Sequence, residues 1–274
     1  MKQFAFILLV FTLLGCKKHN DEIQNLNGNR IDVLGHAGMG INSQFPINSG
    51  ESLLACLNKN SDGTELDLQL TKDGVLVAFH DILLQDKTSL SGRIREKNWD
   101  ELKNAQYTSN LYYPYKIVKL RNLLDNLPNY KDFIFTFDIK IYGDPVEDYL
   151  NYYNDYTDAI TDLFSLYQLH QNAFTEVREE EFIELLQQKD ALIRQFVNPL
   201  SFDEGFQTAN NLNLFGITIS NSNITKEEVE LAHSLNKFVT IWGVNSKKEN
   251  KSAVAKFPDI IQTDKLDHLI KYLQ

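Results

Sequence analysis

Apolar and polar positions along this chain switch repeatedly between two spacings. One is a period of two over short stretches, and the other is the three-and-four spacing of amphipathic helices. Residues 131–140, Lys-Asp-Phe-Ile-Phe-Thr-Phe-Asp-Ile-Lys, show the first most clearly. Phe133, Phe135 and Phe137 take one face of the predicted strand, and Asp138 and Lys140 share the other. Shorter apolar runs at 31–35, 173–177, 191–197, 215–219, 238–242 and 259–262 read as further strands. Helical spacing lies between most of them, at 52–58, 98–105, 120–127, 179–188 and 225–235, and the polar, tyrosine-rich stretch 145–169 also reads as helix. Asn48 and Ser49 offer N-caps ahead of 52–58, and Thr225 with Glu228 has capping-box spacing.

The stretch that organises the chain is Gly63-Thr-Glu-Leu-Asp-Leu-Gln-Leu-Thr-Lys-Asp-Gly-Val-Leu-Val-Ala-Phe-His-Asp81. Glu65 and Asp67 stand two apart on a strand and project to one face, with Leu66 and Leu68 on the other. Two carboxylates on an interior face need a cation or a base to neutralise them. Oxygen ligands suit a hard divalent ion such as Mg²⁺ or Ca²⁺. The link Thr71-Lys-Asp-Gly74 is far too short for a parallel crossover, so residues 75–79 return antiparallel as a hairpin, carrying His80 and Asp81 back with them.

Without the return strand of that hairpin, eight strands alternate with helices over residues 31–274. This predicts an α/β fold, a (β/α)₈ TIM barrel with a short hairpin after the second strand. Chemistry in such barrels collects at the C-terminal strand ends, where His36, Glu65, Asp67, Asp138, Lys140 and Trp242 all fall. An open doubly wound sheet would call for G-x-G-x-x-G after the first strand, and Gly35-x-x-Gly38-x-Gly40 is spaced otherwise. His170 and His233 lie in helical patterns without a partner motif and read as structural or solvated.

Composition changes this picture at two points. Twenty-seven basic against 37 acidic residues, a net charge of −10 and no basic stripe argue against nucleic acid as a partner. The N-terminus has a charged start, the apolar run 4–14 and Gly15-Cys16, the form of a secretory signal over residues 1–15. Leu13-Leu14-Gly15-Cys16 resembles the bacterial lipobox. The expectation is therefore an acylated Cys16, a polar tether over 16–30 and a lipid-anchored protein of the bacterial cell envelope. Only Cys56 remains after Cys16, so no internal disulfide can form, and Cys56 reads as a small core residue of a helix.

Taken together, the motifs resemble the glycerophosphodiester phosphodiesterase family. His36-Ala-Gly38 is similar to its opening His-Arg-Gly, and Glu51-Ser-Leu53 to its Glu-Asn-Thr. Residues 65–81 resemble Glu-x-Asp-(Val/Leu)-x-Leu-Thr-x-Asp-Gly-x-x-Val-x-x-His-Asp. Asp138-Ile-Lys140 is similar to its Glu-x-Lys, Trp242-Gly-Val-Asn245 to Trp-Thr-Val-Asn, and Thr263-Asp264 to its terminal Thr-Asp. The resemblance implies one divalent ion, Ca²⁺ or Mg²⁺, held by Glu65, Asp67 and Asp138. It implies His36 and His80 as general acid and base; Lys140 would help neutralise the phosphodiester's charge, and Trp242 reads either as a wall on the substrate side or as a cap on the core. The expected reaction is hydrolysis of a glycerophosphodiester, a small-molecule substrate, to an alcohol and sn-glycerol 3-phosphate, with no protein partner. Two departures stand out, Ala37 where the family has arginine and Asp138 where it has glutamate. They leave room for a sphingomyelinase D-like lyase that releases a cyclic phosphate, or for a barrel that binds ligand without cleaving it.

Overall fold

The computed structural model describes residues 22–109, 112–142 and 149–274. The expected signal segment and Cys16 lie outside the described residues. In chain order the elements are β1 (Asp32–Gly35), α1 (Gly50–Leu57), β2 (Gly63–Leu70), β3 (Leu76–Ala78), α2 (Trp99–Leu102), β4 (Val118–Lys119), α3 (Leu120–Asp125) and β5 (Ile134–Ile139). They continue with α4 (Tyr149–Tyr167), β6 (Ala173–Val177), α5 (Glu180–Lys189), β7 (Arg194–Val197), α6 (Phe202–Asn211) and β8 (Gly216–Ser220). The last are α7 (Lys226–Ser234), β9 (Phe238–Val244), α8 (Lys247–Val254), β10 (Ile260–Thr263) and α9 (Leu266–Leu273).

Strands β1, β2, β5, β6, β7, β8, β9 and β10 pair parallel in that order, and β10 pairs with β1 to close the ring. The expected (β/α)₈ barrel is the fold. Its outward strand residues, among them Leu66, Leu68, Phe135 and Phe137, are buried against Ile160, Phe164, Phe182 and other helix residues in one large cluster. Each such buried side chain contributes roughly 1.5–3 kcal/mol. The inward residues form layers. At the N-terminal end, Leu34, Phe174, Phe196 and Ile260 make an apolar floor. Next along the strands, Gln262 donates from Nε2 to Thr136 Oγ1 (3.0 Å) and to Glu176 Oε1 (2.6 Å). The carboxylates of β2 and β5 adjoin these residues, Glu65 opposite Thr136 and Asp138 opposite Glu176.

The hairpin is present as expected. β3 runs antiparallel to β2, with Leu68 opposite Ala78 and Leu70 opposite Leu76. Its turn is closed by Gly74 at φ +76° and by Thr71 Oγ1, which accepts from Val75 N at 2.8 Å. Beyond β3 the chain builds a feature the hydrophobic pattern did not announce. A short β4 extends the hairpin, and Val77, Phe79, Leu84, Ile94, Leu102, Tyr107, Tyr115 and Ile117 form a small core of their own. The helix expected over 98–105 is a single turn here, and the strand expected over 191–197 begins only at Arg194. Asp190 Oδ1 accepts from Leu192 N (3.0 Å), which holds the preceding residues in a turn.

Residues 22–30, inside the stretch expected as a tether, are docked on the barrel. Leu26 N donates to Asp259 Oδ1 (2.8 Å), Asn25 Nδ2 to Pro258 O (2.9 Å), and Ile23 packs against the main core. The asparagines that made this stretch look unstructured tie it down by hydrogen bonds to backbone and carboxylate. Cys56 is fully buried in α1, and Thr225 and Glu228 form the expected capping box. Among the described residues no helix is long and apolar enough to cross a membrane.

Candidate active site

β2 and β5 lie side by side in parallel register, with Asp67 opposite Asp138, so inward residues of both strands meet at one height. The result is that Glu65, Asp67 and Asp138 each offer a carboxylate oxygen within 4.8 Å of the others. Lys140, one inward position beyond Asp138, sets its ammonium 2.9 Å from Asp67 Oδ1 and 2.6 Å from Asp138 Oδ2.

The two histidines arrive by separate routes. His36 follows β1, and its Nδ1 lies 2.9 Å from Asp264 Oδ1, at the end of β10. His80 follows β3, where Phe79 N donates to Asp67 O (3.0 Å), so the hairpin return delivers it alongside the carboxylates. His80 Nδ1 is 2.9 Å from Asp81 Oδ1, and its ring is 45 % exposed, against 26 % for His36. In each case the carboxylate on Nδ1 fixes the tautomer and leaves Nε2 for proton transfer. Both histidines act electrostatically on Asp67.

Charge balance here is tight. Burial, then Asp67, pushes the Glu65 carboxyl well above its usual range. Burial would also raise Asp67, but Lys140, His80 and a hydrogen bond from Asn48 outweigh it and hold Asp67 low. Burial opposes charge on Lys140, yet Asp67 and Asp138 keep it firmly protonated. Burial likewise disfavours a charged His36, and the Asp264 hydrogen bond with Glu65 and Asp67 overrides it, taking His36 up to about 9. Three acids against one lysine leave an excess of negative charge, and one carboxyl is driven to hold a proton. An all-oxygen cluster in that condition fits a hard divalent cation, which would relieve the repulsion. Glu65, Asp67 and Asp138 are the residues that would hold it.

All six residues expected at the strand ends are on this side of the barrel, and Trp242 is on β9 with its Nε1 enclosed and without a partner among the described residues. Ala37, in place of the arginine, is fully buried at φ +47°, and its N–H donates to Glu65 Oε2 at 2.6 Å. This position contributes a backbone donor and no cation.

Two residues have roles the sequence did not disclose. Asn48, expected as a cap candidate, clamps Asp67: its Nδ2 donates to Asp67 Oδ2 (2.5 Å) and its Oδ1 accepts from Asp67 N (3.0 Å), while Ser49 makes the cap. Asp264, noticed only as part of Thr-Asp, also accepts from Ile41 N (3.0 Å). A Cβ on Gly40 would meet its Cα at 2.5 Å. The signal for Asp264 was its place at the end of the last strand, next to β1 in a closed ring. His170 and His233 are structural as expected, bonded to Asp190 (2.7 Å) and Asp259 (2.9 Å).

Comparison with known proteins agrees with this geometry. The model of the "Glycerophosphoryl diester phosphodiesterase family" matches residues 39–268. A glycerophosphodiester phosphodiesterase of Bacillus altitudinis is 24% identical over 245 residues, covering 86% of this chain and 96% of that protein. The uncharacterized protein YqiK of Bacillus subtilis is 35% identical over 107 residues, 38% of this chain and 44% of that protein, so the match spans under half of its length. Among solved structures, an Oleispira antarctica phosphodiesterase in complex with the product sn-glycerol-3-phosphate superposes with a TM-score of 0.74 at 18% identity, covering 88% of this chain and 95% of that one.

Proposed function

The chain belongs to the glycerophosphoryl diester phosphodiesterase family, and from that premise we propose that it hydrolyses glycerophosphodiesters to an alcohol and sn-glycerol 3-phosphate, using one divalent ion, Ca²⁺ or Mg²⁺, at Glu65, Asp67 and Asp138. The observation that carries this reading is the convergence of those three carboxylates with Lys140 at the barrel end that also holds His36 and His80. The Oleispira phosphodiesterase with its bound product supports the substrate class.

A phosphodiester is a stable anion, so cleavage needs charge neutralisation at the phosphoryl oxygens and a proton for the departing alkoxide. A divalent ion bound by the three carboxylates supplies positive charge to those oxygens. Lys140 adds a second positive charge and, with Asn48, holds Asp67 in place. His36 and His80 divide the proton work: one takes the proton from the attacking water, and the other gives one to the alcohol oxygen as the phosphorus–oxygen ester bond breaks. Their Nδ1 atoms are tied to Asp264 and Asp81, so both rings enter with orientation set. The Trp242 N–H has no partner among the described residues and would serve a substrate oxygen as donor once the ring turns it toward the cavity.

The test is turnover of a panel of glycerophosphodiesters with added Ca²⁺ or Mg²⁺. Either His36→Ala or His80→Ala is expected to lower kcat by roughly 10²–10⁴ while the circular dichroism spectrum stays native. Unchanged turnover in both would refute the assignment, and a cyclic phosphate in the phosphorus NMR spectrum would make the enzyme a lyase. The proposal extends to place: a lipid on Cys16 anchors the enzyme in the bacterial envelope, which rests on the lipobox-like Leu13-Leu14-Gly15-Cys16.

A further inference from the structure

The opposite mouth of the barrel carries a second concentration of charge, of the other sign. Where β7, β8 and β9 begin there is a cavity of about 450 Å³. Arg194 and Lys237 line it together with Gln187, Gln195, Asn213 and Asn236. The remaining lining is apolar, and no Asp or Glu takes part. In a chain of net charge −10, a cavity with two cations and no acid is a departure that calls for a reason.

Among the described residues neither cation has a carboxylate partner. The Arg194 guanidinium lies over the rings of Phe174 (4.3 Å) and Phe215 (5.2 Å), which support its face. Its Nε and Nη2, however, are enclosed and have no acceptor among the described residues. Those two N–H groups form the parallel edge by which arginine takes a carboxylate or phosphate side-on, and since water does not reach them as the side chain stands, a turn of the guanidinium on its two rings is part of binding. Lys237 is 7% exposed, and among the described residues its ammonium donates to neutral oxygens, Leu214 O (2.9 Å) and Asn213 Oδ1 (3.3 Å). Burial pushes both groups below their usual range, and no carboxylate opposes the shift for either. Buried charge without a counterion is costly unless something else supplies one.

We propose that this cavity at the N-terminal mouth of the barrel binds a phosphate dianion, free or as the monoester of a small organic stem, between Arg194 and Lys237. A doubly charged oxyanion matches two cations, the side-chain amides satisfy further oxygens, and Leu192 and Leu235 flank the space a stem would take. The site is separate from the carboxylate cluster, since Arg194 opens β7 whereas Asp67 and Asp138 stand near the far ends of β2 and β5. It stands independently of the phosphodiesterase reading.

The full chain with its divalent ion is titrated with inorganic phosphate in chloride buffer, and the thermal midpoint is followed. The wild-type midpoint is expected to rise by about 3–5 °C at ten times the dissociation constant, with acetate giving no rise. Arg194→Met and Lys237→Met should lose that rise and, without phosphate, melt no lower than wild type, because each removes an uncompensated charge. Asp67→Asn, at the other mouth, should keep it, and phenyl phosphate in place of the free ion tells an ester from phosphate itself. Arg194→Lys, which keeps the charge and loses the fork, should weaken binding tenfold or more if Arg194→Met does not fold. A rise of equal size in all variants, or no rise in wild type together with a less stable Arg194→Met, overturns the proposal and leaves Arg194 as a plug held by its aromatic neighbours.

Discussion

Replacing Glu176 by glutamine should make the protein more stable at pH 8 and leave it nearly unchanged at pH 4.5. Glu176 is enclosed on β6 opposite Asp138 of β5, with Gln262 donating to its Oε1 at 2.6 Å. Burial, reinforced by Asp138, pushes its carboxyl from 4.5 up to about 8. In the unfolded chain the same group loses its proton near 4.5. Between the two values the native state holds a proton that the unfolded state has released, so native stability falls as pH rises through that window. A shift of that size at about 1.36 kcal/mol per pH unit is on the order of 4–5 kcal/mol at full development. Glutamine has the same shape, can accept from Gln262, and does not titrate. The stability difference between Glu176→Gln and wild type should therefore grow from near zero at pH 4.5 to that order at pH 8. Urea unfolding of both proteins across this range, in EDTA so that only the chain's own groups contribute, measures it. Parallel profiles would show that Glu176 ionises normally and that the inner layer is far wetter than its enclosure indicates. Added divalent ion should shrink the difference, since a cation near Asp138 cancels part of the repulsion.

Further outcomes follow from individual contacts. Asp264→Asn removes the charge that orients His36 and should lower kcat by roughly 10²–10⁴ with KM little changed, as read by steady-state kinetics. Asn48→Ala leaves Asp67 Oδ2 and the Asp67 N–H without partners, costing about 1–3 kcal/mol in urea unfolding and weakening Ca²⁺ or Mg²⁺ binding by calorimetry. Cys16→Ser should abolish incorporation of labelled palmitate and move the protein from the detergent phase to the aqueous phase; unchanged partitioning would remove the lipid anchor from the proposal.

The barrel was legible because each of its strands is pinned by a two-residue alternation or a short apolar run. Residues 131–140 are the clearest case: a one-residue slip would bury Asp138 among the helices and turn Phe137 toward the ion site, so the pattern admits one register. The hairpin was legible for a different reason, since a link as short as Thr71 to Gly74 permits only an antiparallel return. The segment after it was not. Leu84, Ile94, Leu102, Tyr107 and Ile117 reach their small core from one-turn helices and bends, none long enough to express a period. Residues 22–30 are held by asparagine side chains bonded to a neighbour's backbone and to a carboxylate, and composition alone does not separate such asparagines from solvated ones.

The candidate site divides along the same physical line. Glu65, Asp67, His80, Asp138 and Lys140 lie on two adjacent strands and one return strand, so their convergence follows from pairing rules that sequence exposes. Two of the groups that orient them, Asp264 and Asn48, lie outside those strands and follow from no pairing rule. Asp264 reaches His36 across 228 positions of chain, and Asn48 reaches Asp67 from a loop in the left-handed region at φ +60°. The first exists only once the ring has closed and β10 has come to lie beside β1, and the second only once that loop has folded back over β2. Spacing along the chain therefore points to the reacting groups, whereas barrel closure fixes which atoms of those groups remain free to react. Asp264 holds Nδ1 of one imidazole, Asp81 holds Nδ1 of the other, and both Nε2 atoms are left for the substrate.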